Sequence, residues 1–550
     1  MDNQRQILLI ALGVILLLLW FSWEDAQRAR SPVAQAPVVE QQAFGGNAPV
    51  APSTPTVTSG QTSAPQLNAP AQRQITSGKR VHVITDLLDV QIDTFGGDLR
   101  YLGLRQYPKE LNDKDLPFPL MNDSGEEVLI AQSGLFGLGK HYPFHRTQFT
   151  SSQSRYTLRD GEDTLSVDLR WRAKDGVRYT KRYTFKRDSY VVRLDFIVDN
   201  RSRATWQGYL YGQFLKRPVN QEIGFMALPT FDGGVIYTTE EAYEKVDYDE
   251  LSEKLDRPVT GGWAAMMQHY FIASWLPDAK QKGQIYSSSP SQDRYVIGYK
   301  HTEPLTIAPG NKASVGIDIY AGPKEPARLK NLPQGMDLTV DFGWLTFISA
   351  PLYALLSYIQ SFVGNWGWAI IVLTIMIKAV FFPLNNTQYK SMAKMKKLQP
   401  RMAALKEQHG GDRERYSKAM MELYKKEKVN PMSGCLPILV QIPVFIALYW
   451  VLLESVEMRQ APFMLWIHDL SAKDPYFILP LLMGASMFVT TWMSPTTDPM
   501  QRKIFLMMPV MFTAFFLFFP SGLVLYWLVN NVLQIIQQTY INRSIAASSK

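Results

Sequence analysis

The chain has 550 residues, a formal net charge of +8 at pH 7 and a mean hydropathy close to zero. That average conceals a division, because residues 24–340 are polar and mixed whereas residues 342–540 contain most of the long apolar runs. Cys435 is the only cysteine, so a disulfide within the chain is excluded and an exported domain would depend on its own core. Several runs of about 18 residues almost without charge match a bilayer's thickness, which indicates a membrane protein.

The N-terminal segment predicts an anchor followed by a tether. The apolar run 6–23 indicates a transmembrane signal anchor in residues 1–23. A cleaved signal peptide is the alternative, since residues 34–36 (Ala-Gln-Ala) resemble a cleavage site, although this site lies unusually far from the apolar run. Residues 24–75 are rich in Pro, Ala, Gln, Ser and Thr. We expect a disordered linker there, because this composition cannot bury enough apolar surface to offset chain entropy.

Residues 76–340 alternate between apolar and polar in the manner of β-strands, and no long helical pattern occurs before about residue 325. Two runs, 165–171 and 183–198, keep the period of two. Between them, Asp175-Gly176 is a hairpin-turn signal. We therefore expect a large all-β domain in which two antiparallel sheets pack together.

The remaining chain predicts an α-helical polytopic membrane core. Residues 341–362 are apolar and aromatic but are interrupted by Pro351, so an amphipathic helix lying flat in the membrane interface is favoured over a spanning one. The core then covers residues 363–542, and residues 543–550 form a tail. Five spans are predicted at residues 364–384, 433–455, 475–492, 504–519 and 521–540.

The charge of the connecting segments predicts the orientation. Residues 385–430 contain twelve Lys or Arg against five Asp or Glu, whereas residues 457–474 contain only two Lys or Arg. Excess positive charge marks the cytoplasmic side of a membrane. The β domain is therefore expected in the periplasm of a bacterium, outside the inner membrane, with both chain termini in the cytoplasm.

Lys378 is the only Lys or Arg within the five predicted spans, and Glu454 at the end of a span is their only acid. Helical rise places Lys378 about 9 Å below the inner surface. A charge at mid-membrane costs about 2.5–3.5 kcal/mol and usually marks function. A lysine that snorkels to the inner surface is the simpler alternative. Since no carboxylate within the spans can pair with Lys378, the sequence favours a water-filled groove.

Other polar residues of the spans are consistent with such a groove. Thr374 lies one turn before Lys378 on the same helix face, and three polar residues recur at a spacing of four in the last span. Polar groups that face lipid tails would lack partners, so a shared groove is predicted, with hydrogen bonding between helices as the alternative. The residues assigned to the groove on this basis are Lys378, Thr374, Gln441, Tyr526, Asn530 and Gln534.

The segment 385–430 predicts a cytoplasmic hairpin of two helices around residues 409–411. Met392, Met395 and Met402 belong to an apolar stripe along the first helix. Methionine adapts to varied apolar partners, so a partner-binding role is predicted, while burial of the stripe against the second helix is the alternative. The basic residues on the other face suit anionic lipid or ribosomal RNA, and charge alone does not choose between them.

No catalytic constellation is found in the sequence. Residues 134–140 have the spacing G-x-x-x-x-G-K, but His141 replaces the Ser or Thr that binds magnesium in a nucleotide-binding loop. The seven histidines show no metal-ligand spacing, and none lies in a span where it could activate Ser521. We therefore expect no enzymatic activity, no cofactor and no small-molecule substrate.

Long runs of the chain are similar to one family of membrane proteins. They are SFVGNWGWAI (361–370), SMAKMKKLQP (391–400), VNPMSGCLPILVQIPVFIALY (429–449), RQAPFMLWIHDLSAKDPY (459–476), MSPTTDPM (493–500) and FPSGLVLYW (519–527), with TDLLDVQIDTFGGD (85–98) and GGWAAMMQHYF (261–271) in the β region. On these runs the chain resembles the YidC family of membrane-protein insertases, in its Gram-negative form, nearly from end to end.

The resemblance implies a periplasmic β-supersandwich, an interfacial helix and a five-helix core with a groove open to the cytoplasm and to lipid. The family's groove cation is usually arginine, and Lys378 stands at that position here. Its substrate-contacting threonine and aromatic positions correspond to Thr374, Tyr526 and Trp527. Lysine keeps the charge of arginine but lacks its planar fork of donors.

The function that the resemblance implies is insertion, and assisted folding, of nascent membrane proteins, alone or with the Sec translocon. The ribosome, the signal recognition machinery and membrane lipid are the other expected partners. A solute transporter or channel is one alternative, but no internal inverted repeat is seen. A membrane-anchored periplasmic enzyme acting on carbohydrates is another, and it would need an acid–base pair in a cleft. Deleting residues 76–300 would separate the enzyme, which would lose activity, from an insertase.

Overall fold

The structure, a computed structural model, describes residues 75–137, 142–219, 230–291, 293–409, 411–427, 436–493 and 499–547. The predicted signal anchor and all but the last residue of the predicted linker lie outside these ranges, as does Cys435. Within them, β-strands occupy the chain from Arg80 to Pro323, and helices prevail from Pro326 onward. The predicted order of an all-β region followed by a helical region is therefore confirmed.

Strands and one short helix make up the β domain. The first ten strands are β1 (Arg80–Ile84), β2 (Leu88–Asp93), β3 (Leu99–Glu110), β4 (Asp113–Met121), β5 (Val128–Phe136), β6 (Thr150–Ser151), β7 (Arg155–Thr157), β8 (Thr164–Arg172), β9 (Arg178–Lys186) and β10 (Val191–Asp199). The others are β11 (Trp206–Arg217), β12 (Gly233–Tyr237), β13 (Glu244–Val246), β14 (Asp256–Thr260), β15 (Trp263–Met267), β16 (Phe271–Leu276), β17 (Lys282–Ser291), β18 (Arg294–His301), β19 (Leu305–Ile307) and β20 (Lys312–Pro323), with helix α1 (Tyr248–Ser252) before β14.

These strands form two sheets. The first has the order β14-β17-β18-β11-β5-β3-β2-β1-β7, with β4 paired to β3 and β19 paired to β11. The second has the order β13-β12-β15-β16-β20-β10-β9-β8-β6. Among the described strands, β1 and β7 pair in parallel and the other pairs are antiparallel.

The predicted hairpin turn lies between β8 and β9. Gly176 has a φ of 94°, a conformation that glycine adopts without steric cost. The amide of Ala173 donates to the carbonyl oxygen of Val177 at 2.9 Å and closes the hairpin. In β9 and β10 every second side chain is buried, because successive side chains of a strand point to opposite faces of the sheet.

The two sheets pack face to face around a shared apolar core. Gly212 of β11 lies against the indole of Trp275 of β16, so that a methyl group placed on Gly212 would come within 2.6 Å of the ring. Trp275 is fully buried, as are Trp263 and Tyr183. A core with large aromatic side chains at native density leaves no space for an added carbon at such a contact.

The C-terminal part contains long helices. They are α2 (Pro326–Leu329, a single turn), α3 (Thr346–Val363), α4 (Trp366–Val380), α5 (Phe382–His409), α6 (Arg413–Lys426), α7 (Leu436–Glu454), α8 (Ile478–Met493), α9 (Pro499–Phe516) and α10 (Ser521–Ala547), with 3-10 turns at Met336–Thr339, Gly343–Leu345 and Val456–Met458. A helix occupies each of the five predicted spans, and α5 and α6 occupy the predicted hairpin. Whether each helix crosses the membrane stays a prediction.

By length and composition, Gly343–Val363 is the one helical stretch among the described residues that could cross a bilayer alone. Trp366–Val380 and Phe382–Ser391 are long and apolar enough to cross a bilayer only when they are taken together, and the two segments are bent by 63° relative to each other. The bend differs from the continuous span expected at residues 364–384. Pro383 explains it, because a proline lacks the amide hydrogen that would bond four residues back and its ring obstructs a straight helix.

Polar contacts join the β domain to the helical core. The Lys324 ammonium lies 3.2 Å from a carboxylate oxygen of Glu454, and both side chains are buried. The Arg459 guanidinium donates to the carbonyl oxygen of Pro108 at 2.8 Å and lies over the ring of Phe118. These contacts hold the edge of the β domain against the end of α7 and the segment that follows it.

Candidate functional site

Helix α4 carries two polar side chains on its buried face. Asn365 caps the helix by accepting a hydrogen bond from the amide of Trp368, which satisfies one of the free amides of the first turn. Ile370, Thr374 and Lys378 follow at a spacing of four and are all buried. Thr374 donates its hydroxyl hydrogen to the carbonyl oxygen of Ile370 at 2.6 Å, so that its polar atom is satisfied within the helix.

Lys378 is 8% exposed. Among the residues that the structure describes, its ammonium has no hydrogen-bond acceptor and no ion-pair partner. Glu454, the only acid of helices α4 and α7 to α10, is bound to Lys324 at the opposite end of the core. The predicted isolation of the Lys378 charge from any carboxylate is therefore found in the described part of the chain.

Helix α10 packs along α4, and both begin at the segment between α7 and α8. Asn365 donates to the carbonyl oxygen of Pro462, and the amide of Ser521 donates to that of Ala472. The two helices therefore run in parallel. Gly522 lies beside Ile370, with an added methyl group 3.5 Å from its side chain. Steps of one turn along both helices bring Thr374 to the level of Tyr526 and Lys378 to that of Asn530.

The aromatic residues of α10 contact α7. Tyr526 is buried and its ring stacks on that of Phe445 at 6.1 Å, while the ring of Trp527 lies 4.8 Å from the same phenylalanine. The indole N–H of Trp527 is buried and is a hydrogen-bond donor without an acceptor among the described residues. It belongs to α10, the helix that packs along α4, which carries Thr374 and Lys378.

Gln441 contacts a residue that the sequence analysis did not assign to the site. Its side-chain amide lies 3.4 Å from that of Asn385 in α5, and Asn385 is 2% exposed. Gln388, one turn further along α5, is also buried. The sequence signal available for Asn385 is a polar side chain seven residues after Lys378, at the end of the apolar run. It was missed because residue 385 was assigned to the start of the cytoplasmic loop.

The polar residues of α10 lie on two faces of the helix. Asn530 and Gln534 are half-buried and have no hydrogen bond to the described residues. The neighbouring Asn531 instead faces α8 and donates to the hydroxyl of Ser486 at 3.1 Å. Gln538, two turns later, reaches the carbonyl oxygen of Met493 on the same helix. Hydrogen bonding between helices, the alternative considered for the stripe, therefore involves these residues rather than Asn530 and Gln534.

The two helices of the hairpin bury part of the methionine stripe against each other. Leu398 and Met402 are buried, and the second helix contributes Met420, Leu423 and Tyr424 to the same small cluster. Met395 packs at the edge of this cluster, and the side chain of Met392 lies outside the described residues. In this conformation Met402 is unavailable to a partner, because α6 already covers it.

The segment between α7 and α8, residues 455–477, is here called the outer loop, and it ties together the ends of three helices. Its carbonyl oxygens accept hydrogen bonds from the starts of α4 and α10, as described above. The carboxylate of Asp474 accepts from the amides of Tyr476 and Leu479 at the start of α8 and from the indole of Trp466. The outer loop therefore closes one end of the helical core.

Among the described residues, no group of three His, Cys, Asp or Glu side chains is arranged to hold a metal ion. The fold and the site together define an integral membrane protein that combines a large β domain with an apolar helical core holding a buried lysine.

Comparison with known proteins identifies the family. Residues 80–355 match the YidC periplasmic domain, and residues 358–548 match the 60Kd inner membrane protein family. The membrane protein insertase YidC of Pseudomonas fluorescens (strain SBW25) is 47% identical over 564 residues, which cover 100% of this chain and 99% of the relative. That of Stutzerimonas stutzeri (strain A1501) is 46% identical and is covered over 100% of both chains. The chain belongs to the YidC family of membrane protein insertases of the bacterial inner membrane.

Solved structures are similar to the chain at lower sequence identity. An active YidC insertase with its first transmembrane domain resolved has a TM-score of 0.38 and 18% identity, and the match covers 84% of this chain and 92% of that chain. A galactose mutarotase related enzyme from Lactobacillus acidophilus has a TM-score of 0.30 and 11% identity, with 44% of this chain and 97% of that chain covered.

Proposed function

We propose that this insertase admits the polar leading segment of a nascent membrane protein into a groove at the inner half of the helical core. The residues proposed to line it are Lys378, Thr374, Gln441, Tyr526, Trp527, Asn530 and Gln534, joined by Asn385. The observation that carries the proposal is the buried side chain of Lys378, whose ammonium has no acceptor among the described residues. A buried cation is costly unless it is paired or hydrated, so a passing carboxylate and groove water are its natural partners.

Two contributions drive insertion: attraction of the substrate's carboxylates to Lys378, and partitioning of its apolar segment into the bilayer. A carboxylate 4 Å from the Lys378 ammonium gains about 4 kcal/mol at an effective dielectric constant of 20. The following apolar segment gains roughly 0.3–0.6 kcal/mol for each leucine-like residue that enters the bilayer, or about 6–12 kcal/mol for twenty. These gains replace a nucleotide as the energy source. The groove shortens the dry distance that the polar segment must cross before this gain is realised.

The proposed topology places five spans in the membrane, the α3 helix flat in its outer interface, and both chain termini in the cytoplasm. The charge distribution of the connecting segments supports this orientation. Closure of one end of the core by the outer loop supports a groove that is open to the cytoplasm and to lipid but not to the periplasm.

The proposed partners are nascent membrane proteins, the Sec translocon, the ribosome with the signal recognition machinery, and membrane lipid. The hairpin supports a contact on the cytoplasmic side, because Lys390, Lys394 and Lys397 are exposed along α5. Exposed lysines on one helix attract the phosphates of ribosomal RNA or of anionic lipid headgroups. Met392, Met395 and Met402 are proposed to contact a partner only when the hairpin opens.

Replacement of Lys378 tests the groove. We expect Lys378→Ala to slow the insertion of substrates with acidic leading segments on the order of tenfold or more, the effect of losing ~1.4 kcal/mol or more. Lys378→Arg keeps the charge and should retain most of the activity. Insertion is measured by protease protection of a substrate panel in cells depleted of their own insertase.

Lys280→Ala, which removes an exposed lysine of the β domain, is the matched control and should leave these substrates unaffected. If Lys378→Ala inserted the whole panel at the normal rate, the proposed role of the cation would be wrong. A defect that is equal for acidic and neutral leading segments would also contradict the electrostatic attraction.

A further inference from the structure

The outer loop carries apolar side chains that its own fold leaves exposed. We infer that two tips of this loop, residues 462–465 and 475–477, lie below the outer membrane surface in contact with lipid acyl chains. The outer loop then forms part of the membrane-embedded body of the protein and closes the groove from within the bilayer.

Helix α8 is too short to cross the hydrocarbon layer by itself, so another part of the chain must lie within the layer beside its end. The helix has 16 residues and is about 24 Å long, roughly 6 Å less than the hydrocarbon thickness of a bilayer. Its inner end is followed by the polar sequence SPTTD at residues 494–498. The missing length therefore lies at the outer end, where the outer loop ends and α8 begins.

Part of the backbone of the outer loop is satisfied internally. The amide of Phe463 donates to the carbonyl oxygen of Ile467, that of Ile467 donates to Met464, and that of Leu470 donates to Ala461, all within 3.1 Å. Irregular backbone is tolerated at membrane depth only where its polar groups have protein partners. These hydrogen bonds, together with those made by Asp474, give the amides of Phe463, Ile467, Leu470 and Tyr476 such partners.

The side chains at the two tips point outward. Leu465 is 72% exposed and Tyr476 is 66% exposed, and Met464 is 44% exposed. Leu465 and Phe477 have φ values of 55° and 57°, a left-handed conformation that is strained for residues with a Cβ atom. In water this strain would serve only to expose apolar surface. Against acyl chains it places apolar side chains in a favourable solvent.

The neighbouring surface is continuous with the tips. The indole of Trp368 at the start of α4 is 45% exposed and lies 5.6 Å from the ring of Phe463. Tryptophan is enriched at the level of lipid headgroups and the adjacent acyl chains. His468 and Lys473, the exposed polar residues between the two tips, suit the headgroup level, which their side chains can reach.

Depth measurement by spin labelling tests the inference. Leu465→Cys and Tyr476→Cys are made in a full-length Cys435→Ser protein, labelled with a nitroxide and reconstituted into phosphatidylethanolamine–phosphatidylglycerol vesicles. We expect both labels to collide more often with oxygen, which concentrates in the acyl region, than with a water-soluble nickel complex. His468→Cys in the same loop should give an intermediate ratio, and Thr164→Cys in the β domain should give the ratio of a water-exposed label.

Nickel collision rates at residues 465 and 476 equal to those at residue 164 would overturn the inference. The two tips provide independent variants, so a variant that failed to fold would leave the other to decide. Insertion activity of each labelled protein is measured in parallel. Since the test reads depth rather than activity, its outcome is independent of the role proposed for Lys378.

Discussion

Single buried cations of this protein differ in how their charge is compensated. The ammonium of Lys216 in the β domain contacts the carboxylate of Glu127, and that of Lys324 contacts Glu454. Lys378 is nearly as buried but has no such partner among the described residues. A cation with a structural role is normally paired where it is buried. The contrast within one chain therefore favours a functional role for Lys378 over a structural one.

Burial of a second single residue, His301, leads us to expect that the stability of the β domain depends on pH. His301 is 6% exposed, and burial lowers its pKa to about 4. A base whose pKa is lower in the folded state contributes stability that is full above the unfolded value of about 6.5 and is lost as the pH falls toward 4. For His301 the loss between pH 7.5 and pH 5 is about 2 kcal/mol.

His301→Leu should remove this contribution to the pH dependence. We expect the free energy of unfolding of the β domain to fall by about 2 kcal/mol less in the variant than in the parent protein between those two pH values. Urea unfolding of the full-length protein, followed by the β-sheet circular dichroism signal, measures it. Parallel pH profiles of variant and parent would show that His301 is not held neutral by burial.

Individual elements follow the sequence pattern in position but not always in their limits. Helices occur at all five predicted spans, yet the first ends at Val380 rather than near residue 384, because Pro383 interrupts the helical hydrogen bonds. The hairpin helices α5 and α6 form around residues 409–411 as predicted. Part of their methionine stripe, Met402 with Met395 at its edge, packs internally, and this packing is a property of the pair rather than of either helix.

Because Met402 is buried between the two hairpin helices, we expect its side chain to stabilise the hairpin. Met402→Ala removes a side chain that is 3% exposed, and large-to-small changes at buried methionines cost about 2–5 kcal/mol. In a cluster of two helices we expect the lower end of this range, seen as faster amide hydrogen exchange throughout α5 and α6. Met421→Ala, at a side chain that is 52% exposed on α6, is the matched control and should leave exchange unchanged. Equal exchange in both variants would show that the cluster does not hold the hairpin together.

The whole molecule depends on how the β domain is held on the helical core. Lys324 follows the last strand of the β domain and Glu454 ends α7, so their contact fixes one part against the other. Desolvation lowers the pKa of Lys324, and the nearby carboxylate of Glu454 opposes this shift. His269 lies 3.8 Å from the same carboxylate, and burial lowers its pKa to about 4, which keeps it neutral at neutral pH.

A double-mutant cycle tests this junction. Glu454→Leu leaves the Lys324 charge buried without its partner, which should cost about 3–5 kcal/mol in the free energy of unfolding. Lys324→Met should also destabilise, because it leaves the carboxylate unpaired. The double variant replaces both charges by apolar groups and should recover most of the loss, since such replacements are often neutral. Additive losses in thermal unfolding of the purified proteins would show that the two residues do not act as a pair.

Much of this protein is determined locally, and the sequence therefore predicts it. A strand period of two, the Asp175-Gly176 turn and the apolar length of a span are properties of neighbouring residues, and the β domain, the hairpin and the helix positions follow from them. Lys378 stands out for the same reason, because a charge within an apolar run is recognised from the residues beside it in the sequence.

Other features depend on how elements are rotated and placed against one another. Only the tertiary structure brings Asn385 to Gln441, turns Asn531 rather than Asn530 toward α8, and covers Met402 with α6. The same is true of the outer loop, whose hydrogen bonds join three helices that are distant in sequence. Sequence periodicity defines the faces of each helix, but the partner of a face is decided by packing between elements, which no local pattern encodes.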